Sequence, residues 1–168
     1  MKKYPISMRI LLGALLLVAI PALVAAQQPD LTGTWVLNQE KSTVPETGGR
    51  GFGGGATQMV ISMDGEKIVI VSTSQGRQGS QERTQTFTPD GETYTMEATG
   101  GRGGTSEVTA IWQDAKLVVS TSRSTQQGSF TTTMTYSIQE DGTLLVESQR
   151  PSMGGRGGGT TKLVYDKK

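Results

Sequence analysis

Arginine set among glycines recurs along this chain, as "GGRGFGGG" at 48–55, "QGRQGS" at 75–80, "TGGRGGT" at 99–105 and "GGRGGGT" at 154–160. A guanidinium is a rigid fork of donors that matches an oxyanion, and glycine-rich backbone can turn its own N–H groups toward the same anion. Arg77, Arg102 and Arg156 are therefore candidate anion-binding residues. Arg83 and Arg150 are candidates of another kind, because they stand inside strand-like runs. If Phe87 points inward, Arg83 and Gln85 share its face; if Leu144 and Val146 point inward, so does Arg150. A charge on an inner face requires a carboxylate or a ligand anion, and Glu82 and Glu147 fall on the opposite face. Plainer roles fit the same residues: solvated loops for the first three, and a mouth position reaching water for the other two.

Other chemistry is excluded more readily. The chain has no histidine and no cysteine, which removes the commonest general bases, thiol nucleophiles and transition-metal ligands. Asp64, Asp90, Asp114 and Asp141 sit in turn signals, and serine and threonine fall mainly at outward strand positions. No nucleophile and base are paired. The expectation is a protein without catalytic residues, metal or cofactor.

The elements that position the arginines are strands. Short runs rich in Val, Ile, Thr and Tyr, separated by glycine or Asp-Gly, predict strands at roughly 31–38, 57–63, 66–74, 81–88, 92–98, 105–112, 116–123, 130–138, 143–150 and 160–165. Tight turns at "MDGE" (63–66), "PDGE" (89–92), "QDAK" (113–116) and "EDGT" (140–143) alternate with the arginine-glycine connections. In an up-and-down meander this alternation puts the tight turns at one end and the arginines at the other. Ten such strands leave two exposed edges unless the sheet closes, so the expected fold is an all-β, antiparallel up-and-down barrel. Parity assigns Phe130, Met134, Tyr136 and Ile138 to one face of "FTTTMTYSI" and Thr131, Thr133, Thr135 and Ser137 to the other. The same rule turns Met59, Ile61 and Met63 inward, with Tyr94, Met96 and Ala98, then Val108, Ala110 and Trp112. Inward methionines are either core or the lining of an adaptable apolar cavity.

Lys2, Lys3 and Arg9 precede an apolar run from Ile10 to Ile20, then Pro21 and Val24-Ala25-Ala26. This pattern predicts a secretory signal peptide over 1–26, cleaved after Ala26, and one domain over 27–168. Export to the periplasm or the exterior follows, with no stable membrane insertion after cleavage. The leader takes three of 16 basic residues and none of 15 acidic ones, leaving a net charge of −2 on the domain. Such a charge does not gather nucleic acid. Without cysteine the domain is stable through its core alone.

At "DLTGTWVLNQEKS" (30–42) the chain resembles the opening strand of the calycin superfamily, the lipocalins and fatty-acid-binding proteins, whose barrels begin with Gly-x-Trp, here Gly33-Thr34-Trp35. The closing "KLVYDKK" is similar to the last strand of fatty-acid-binding proteins. The resemblance implies a calycin-like barrel with Gly33 bending the chain at the floor and Trp35 plugging the closed end. Tyr165 matches the tyrosine of their carboxylate clamp, whereas Leu163 stands at the arginine position. Their helical lid is replaced by "STVPETGGRGFGGGA". The expected function is non-catalytic binding of a small apolar or amphipathic ligand with an anionic head, in a cavity lined by Met59, Ile61, Met63, Tyr94, Met96, Trp112, Phe130, Met134, Tyr136 and Tyr165. Two other readings stand beside it. One is a cell-envelope interaction module whose arginine-glycine loops contact an anionic polymer. The other is an outer-membrane barrel, disfavoured by threonines on the lipid-facing side, nine aromatics in all and a "DKK" terminus.

Overall fold

The computed structural model describes residues 28–43, 55–76, 79–97, 105–125, 128–151 and 158–168. The predicted leader, Ala98, and the loop arginines Arg50, Arg77, Arg102 and Arg156 lie outside these residues. Ten strands follow in chain order: β1 (Gly33–Thr43), β2 (Gln58–Asp64), β3 (Lys67–Gly76), β4 (Gly79–Phe87), β5 (Asp90–Glu97), β6 (Thr105–Gln113), β7 (Lys116–Thr125), β8 (Gly128–Ile138), β9 (Leu144–Arg150) and β10 (Gly159–Lys167). Among the described residues there is no helix.

All ten strands form one antiparallel sheet in the order β4-β3-β2-β1-β10-β9-β8-β7-β6-β5. First and last strands meet at its centre, with Trp35 opposite Lys167 and Leu37 opposite Tyr165. Every other neighbouring pair in this order is joined directly along the chain, as an up-and-down meander requires. The tight turns form as their residues dictate. Gly65 takes φ +61° between β2 and β3, and Asp114 and Ala115 both take positive φ, 46° and 61°, between β6 and β7. Two successive left-handed residues are what a two-residue hairpin demands.

The expectation of a fully closed barrel needs correction. Strands β4 and β5 are consecutive in the chain, yet they are the two ends of the sheet, which is a curled half-barrel. "PDGE" does not make the expected hairpin. Asp90 already belongs to β5, and its carboxylate accepts the Glu92 N–H (2.9 Å) and the Tyr94 hydroxyl. The carboxylate thus caps its own strand, and Pro89, with no N–H, contributes no donor to a ladder.

The apolar core fills the end with the tight turns. Trp35, Ile61, Ile68, Ile70, Phe87, Leu117, Leu144, Tyr136 and Tyr165 are buried there, with Val108, Ala110, Val119 and Val146 beside them. Trp35 is 1% exposed, and its indole N–H donates to the Leu31 carbonyl at 2.9 Å. The Lys167 ammonium lies 5.3 Å from the ring centroid. Gly33 makes this packing possible: its φ is +139°, and a Cβ there would stand 2.8 Å from Lys167 Cε. Gly-x-Trp in this chain thus leaves room for a lysine stem over a buried indole.

Candidate functional site

Burial falls off along each strand from the floor toward the other end. On β9, Leu144 and Val146 are buried, Ser148 is half-buried and Arg150 is exposed. On β4 the order is Phe87 buried, Gln85 half-buried and Arg83 exposed; on β3, Ile70 buried, then Ser72 and Ser74 half-buried. These positions share the inner face by parity, as the registers Ile70↔Gln85 and Ser72↔Arg83 require. Apolar residues therefore give way to polar ones within one interior.

Between these walls lies a cavity of about 310 Å³, near the lower limit of roughly 300–1,000 Å³ typical of small-molecule sites. Its deeper lining is Met59, Tyr136, Val146, Leu163 and Tyr165, and its upper lining includes Ser72, Ser74, Gln85, Thr132, Ser148 and Thr161. Arg83 and Arg150 complete it, and among the described residues no carboxylate lines it. Among the described residues Arg83 makes no ion pair. On the outer face, by contrast, Glu147 is occupied by Lys162 at 3.0 Å.

The electrostatics of the floor disfavour negative charge. Burial pushes the Tyr136 hydroxyl up to about 12, with the Arg83 cation pulling weakly the other way. Tyr165 is also raised, first by burial and then by neighbouring Tyr136. The Tyr136 hydroxyl donates to Met134 Sδ at 3.8 Å, a weak acceptor. The Tyr165 hydroxyl has no hydrogen-bond partner among the described residues. Partial desolvation lowers the Arg150 guanidinium from its ordinary value, though it stays a cation at any physiological pH.

A segment outside the strands completes the wall. A Cβ built on Gly55 would lie 2.1 Å from Leu163 Cδ1 and 3.1 Å from the Tyr165 hydroxyl. The neighbouring Thr57 is pinned between β1 and β3, its N–H donating to the Thr73 carbonyl (2.7 Å) and its carbonyl accepting from Leu37 N–H (3.0 Å).

The structure brings together Met59, Met134, Tyr136, Tyr165, Arg83 and Arg150 of the expected site. Ile61 is buried in the packed core, against which Met96 and Trp112 are partly buried. The Trp112 indole N–H is buried with no partner among the described residues. Met63 is 50% exposed, Tyr94 is 44% exposed with its hydroxyl on Asp90, and Phe130 is half-buried; none of the three lines the cavity. Met63 has the expected parity, opposite buried Ile68, but sits at the last turn of its hairpin, where no layer covers it. Arg77, Arg102 and Arg156 lie outside the described residues. Sequence reasoning passed over Ser72, Ser74, Ser148 and Thr161 as lining, although alternation carried past the last apolar residue of each strand points to them.

A second depression, about 490 Å³, lies on the outer face beside Leu145 and Val164. The Lys41–Asp141 ion pair (3.1 Å) crosses it, with both side chains about half exposed. Hydrogen bonds from Thr143, and then Lys41, hold Asp141 down at about 2.

No family model matches the chain, and no curated protein matches it in sequence. Solved structures do. A REP1-NXSQ fatty acid transporter superposes with TM-score 0.55 at 15% identity over 83% of this chain and 96% of its own. A tyrosine-to-phenylalanine mutant of that transporter gives 0.54 at 14% identity, over 83% and 98%. At such identity the likeness is one of fold: an all-β half-barrel, consistent with the calycin resemblance.

Proposed function

We propose that this protein is an exported, non-catalytic carrier that holds one small apolar or amphipathic molecule inside the half-barrel. The observation that carries the reading is the cavity itself, with an apolar floor, hydroxyls above it and the Arg83 and Arg150 guanidiniums on its walls. A packed scaffold would have filled that volume with side chains, as happens at the turn end of the same sheet. The fold neighbours support the reading in kind, being described as fatty acid transporters. Pattern alone supports export, through the leader-like residues 1–26. Met59 and Met134 suit an interior that adapts to varied apolar shapes.

The test is to purify the protein from its native host under non-denaturing conditions and identify co-extracted molecules by mass spectrometry. A single-chain apolar or amphipathic molecule at near-equimolar amount is expected. Protein that emerges empty and binds no apolar probe contradicts the proposal.

A further inference from the structure

Resting on the carrier reading, we infer that the ligand sits tail-down, and that its class is single-chain amphiphiles whose anionic head is a phosphate-type oxyanion bearing further substituents in solvent. The first ground is the gradient along the walls. Arg150 ends the inner face of β9, and Arg83 stands midway along that of β4, one inward position beyond half-buried Gln85; both are exposed, while Tyr136, Tyr165, Met59 and Val146 at the floor are buried. Both cations therefore stand at the mouth. Among the described residues no other cation lines the cavity, and on β10 Leu163 stands between Tyr165 and Thr161.

The second ground is what an anion would meet at each end. At the floor it would lose water and gain at most two tyrosine hydroxyls, one of them already on Met134. The apolar surroundings that keep those tyrosines protonated penalise a buried head in the same way. At the mouth it keeps part of its hydration and meets two guanidiniums on different walls, with the hydroxyls of Ser72, Ser74, Ser148, Thr132 and Thr161 in the same lining. A carboxylate offers two oxygens in one plane. Donors converging from several strands better suit a phosphate ester, whose charged and ester oxygens are arranged tetrahedrally and face different walls. Because the arginines reach solvent, whatever is esterified to the head lies outside the wall and is not selected against.

Calorimetric titration with decyl phosphate, decanol, decyl phosphate esterified through its head to a short polyethylene glycol, and decyl phosphate carrying the same polymer on its terminal methyl tests this. The head-tagged probe should bind within about threefold of decyl phosphate, and the tail-tagged probe at least about tenfold more weakly, or about 1.4 kcal/mol. Arg83→Gln with Arg150→Gln should weaken decyl phosphate by about tenfold and leave decanol unchanged. Tight binding of the tail-tagged probe, loss of the head-tagged one, or equal effects of the arginine changes on decanol overturn the orientation while the carrier reading stands. If neither decyl phosphate nor decanol binds, the carrier reading itself falls and takes this inference with it.

Discussion

Arg83 on β4 and Arg150 on β9 line one cavity although their strands stand five places apart in the sheet. Only a strong curl brings them to a common interior. The curl is held at the floor, where Trp35 on β1 and Phe87, Leu117 and Leu144 on β4, β7 and β9 share one buried cluster. Core and cavity are thus two parts of the same inner face, and substitutions can separate them.

Trp35 belongs to the core half. Trp35→Ala should cost about 3–5 kcal/mol in chemical denaturation, the range for emptying a buried aromatic site. A loss under about 0.5 kcal/mol, typical of surface positions, would show that the indole does not hold the floor.

Gly55 belongs to the cavity half. Gly55→Ala forces Leu163 to move, since the new Cβ would otherwise lie 2.1 Å from it. Probe affinity should fall, and Leu163→Ala should restore part of it, with a coupling of about 0.5–3 kcal/mol, as found for residues in contact. Additive effects in the double-mutant cycle would remove the segment at Gly55 from the wall.

The buried tyrosines make a prediction about alkaline stability. Burial pushes Tyr136 up to about 12 from the ordinary 10.0, and Tyr165 is raised as well. The unfolded chain therefore loses these protons first, so their contribution is complete below about pH 10 and is lost as pH rises through about 12. Unfolding free energy should fall steeply above pH 10. Tyr136→Phe should flatten that fall; an unchanged slope would mean that the hydroxyl is hydrated.

Processing is checked by intact mass. The exported protein should begin at Gln27, from the Val24-Ala25-Ala26 pattern. A membrane-bound form retaining residues 1–26 would contradict export as a soluble carrier.

Much of this was legible in the residues because period and turn chemistry are local. The alternation in β8, with Met134 and Tyr136 inward and Thr133 and Thr135 outward, survives folding because pleat alone sets it. Depth is another matter. Met59 and Met63 share one face, yet one is 4% and the other 50% exposed, since how far a strand extends past its neighbours depends on partners distant in the chain. The seam between β4 and β5 was hidden for a related reason. Asp-Gly has the same local chemistry at 64–65, where a hairpin closes, and at 90–91, where Asp90 caps its own strand. The arginines were legible as inward residues, but their place at the mouth follows only from where Phe87 and Leu144 anchor their strands.

The most direct measurement is calorimetric titration of decyl phosphate into the protein and into Ser148→Trp, which sets a large side chain on a half-buried wall position beneath Arg150. Circular dichroism should show the strand content of the variant unchanged. One saturable site is expected in the unaltered protein and none in the blocked one. Equal binding by both, or by neither, would contradict a ligand held inside the half-barrel.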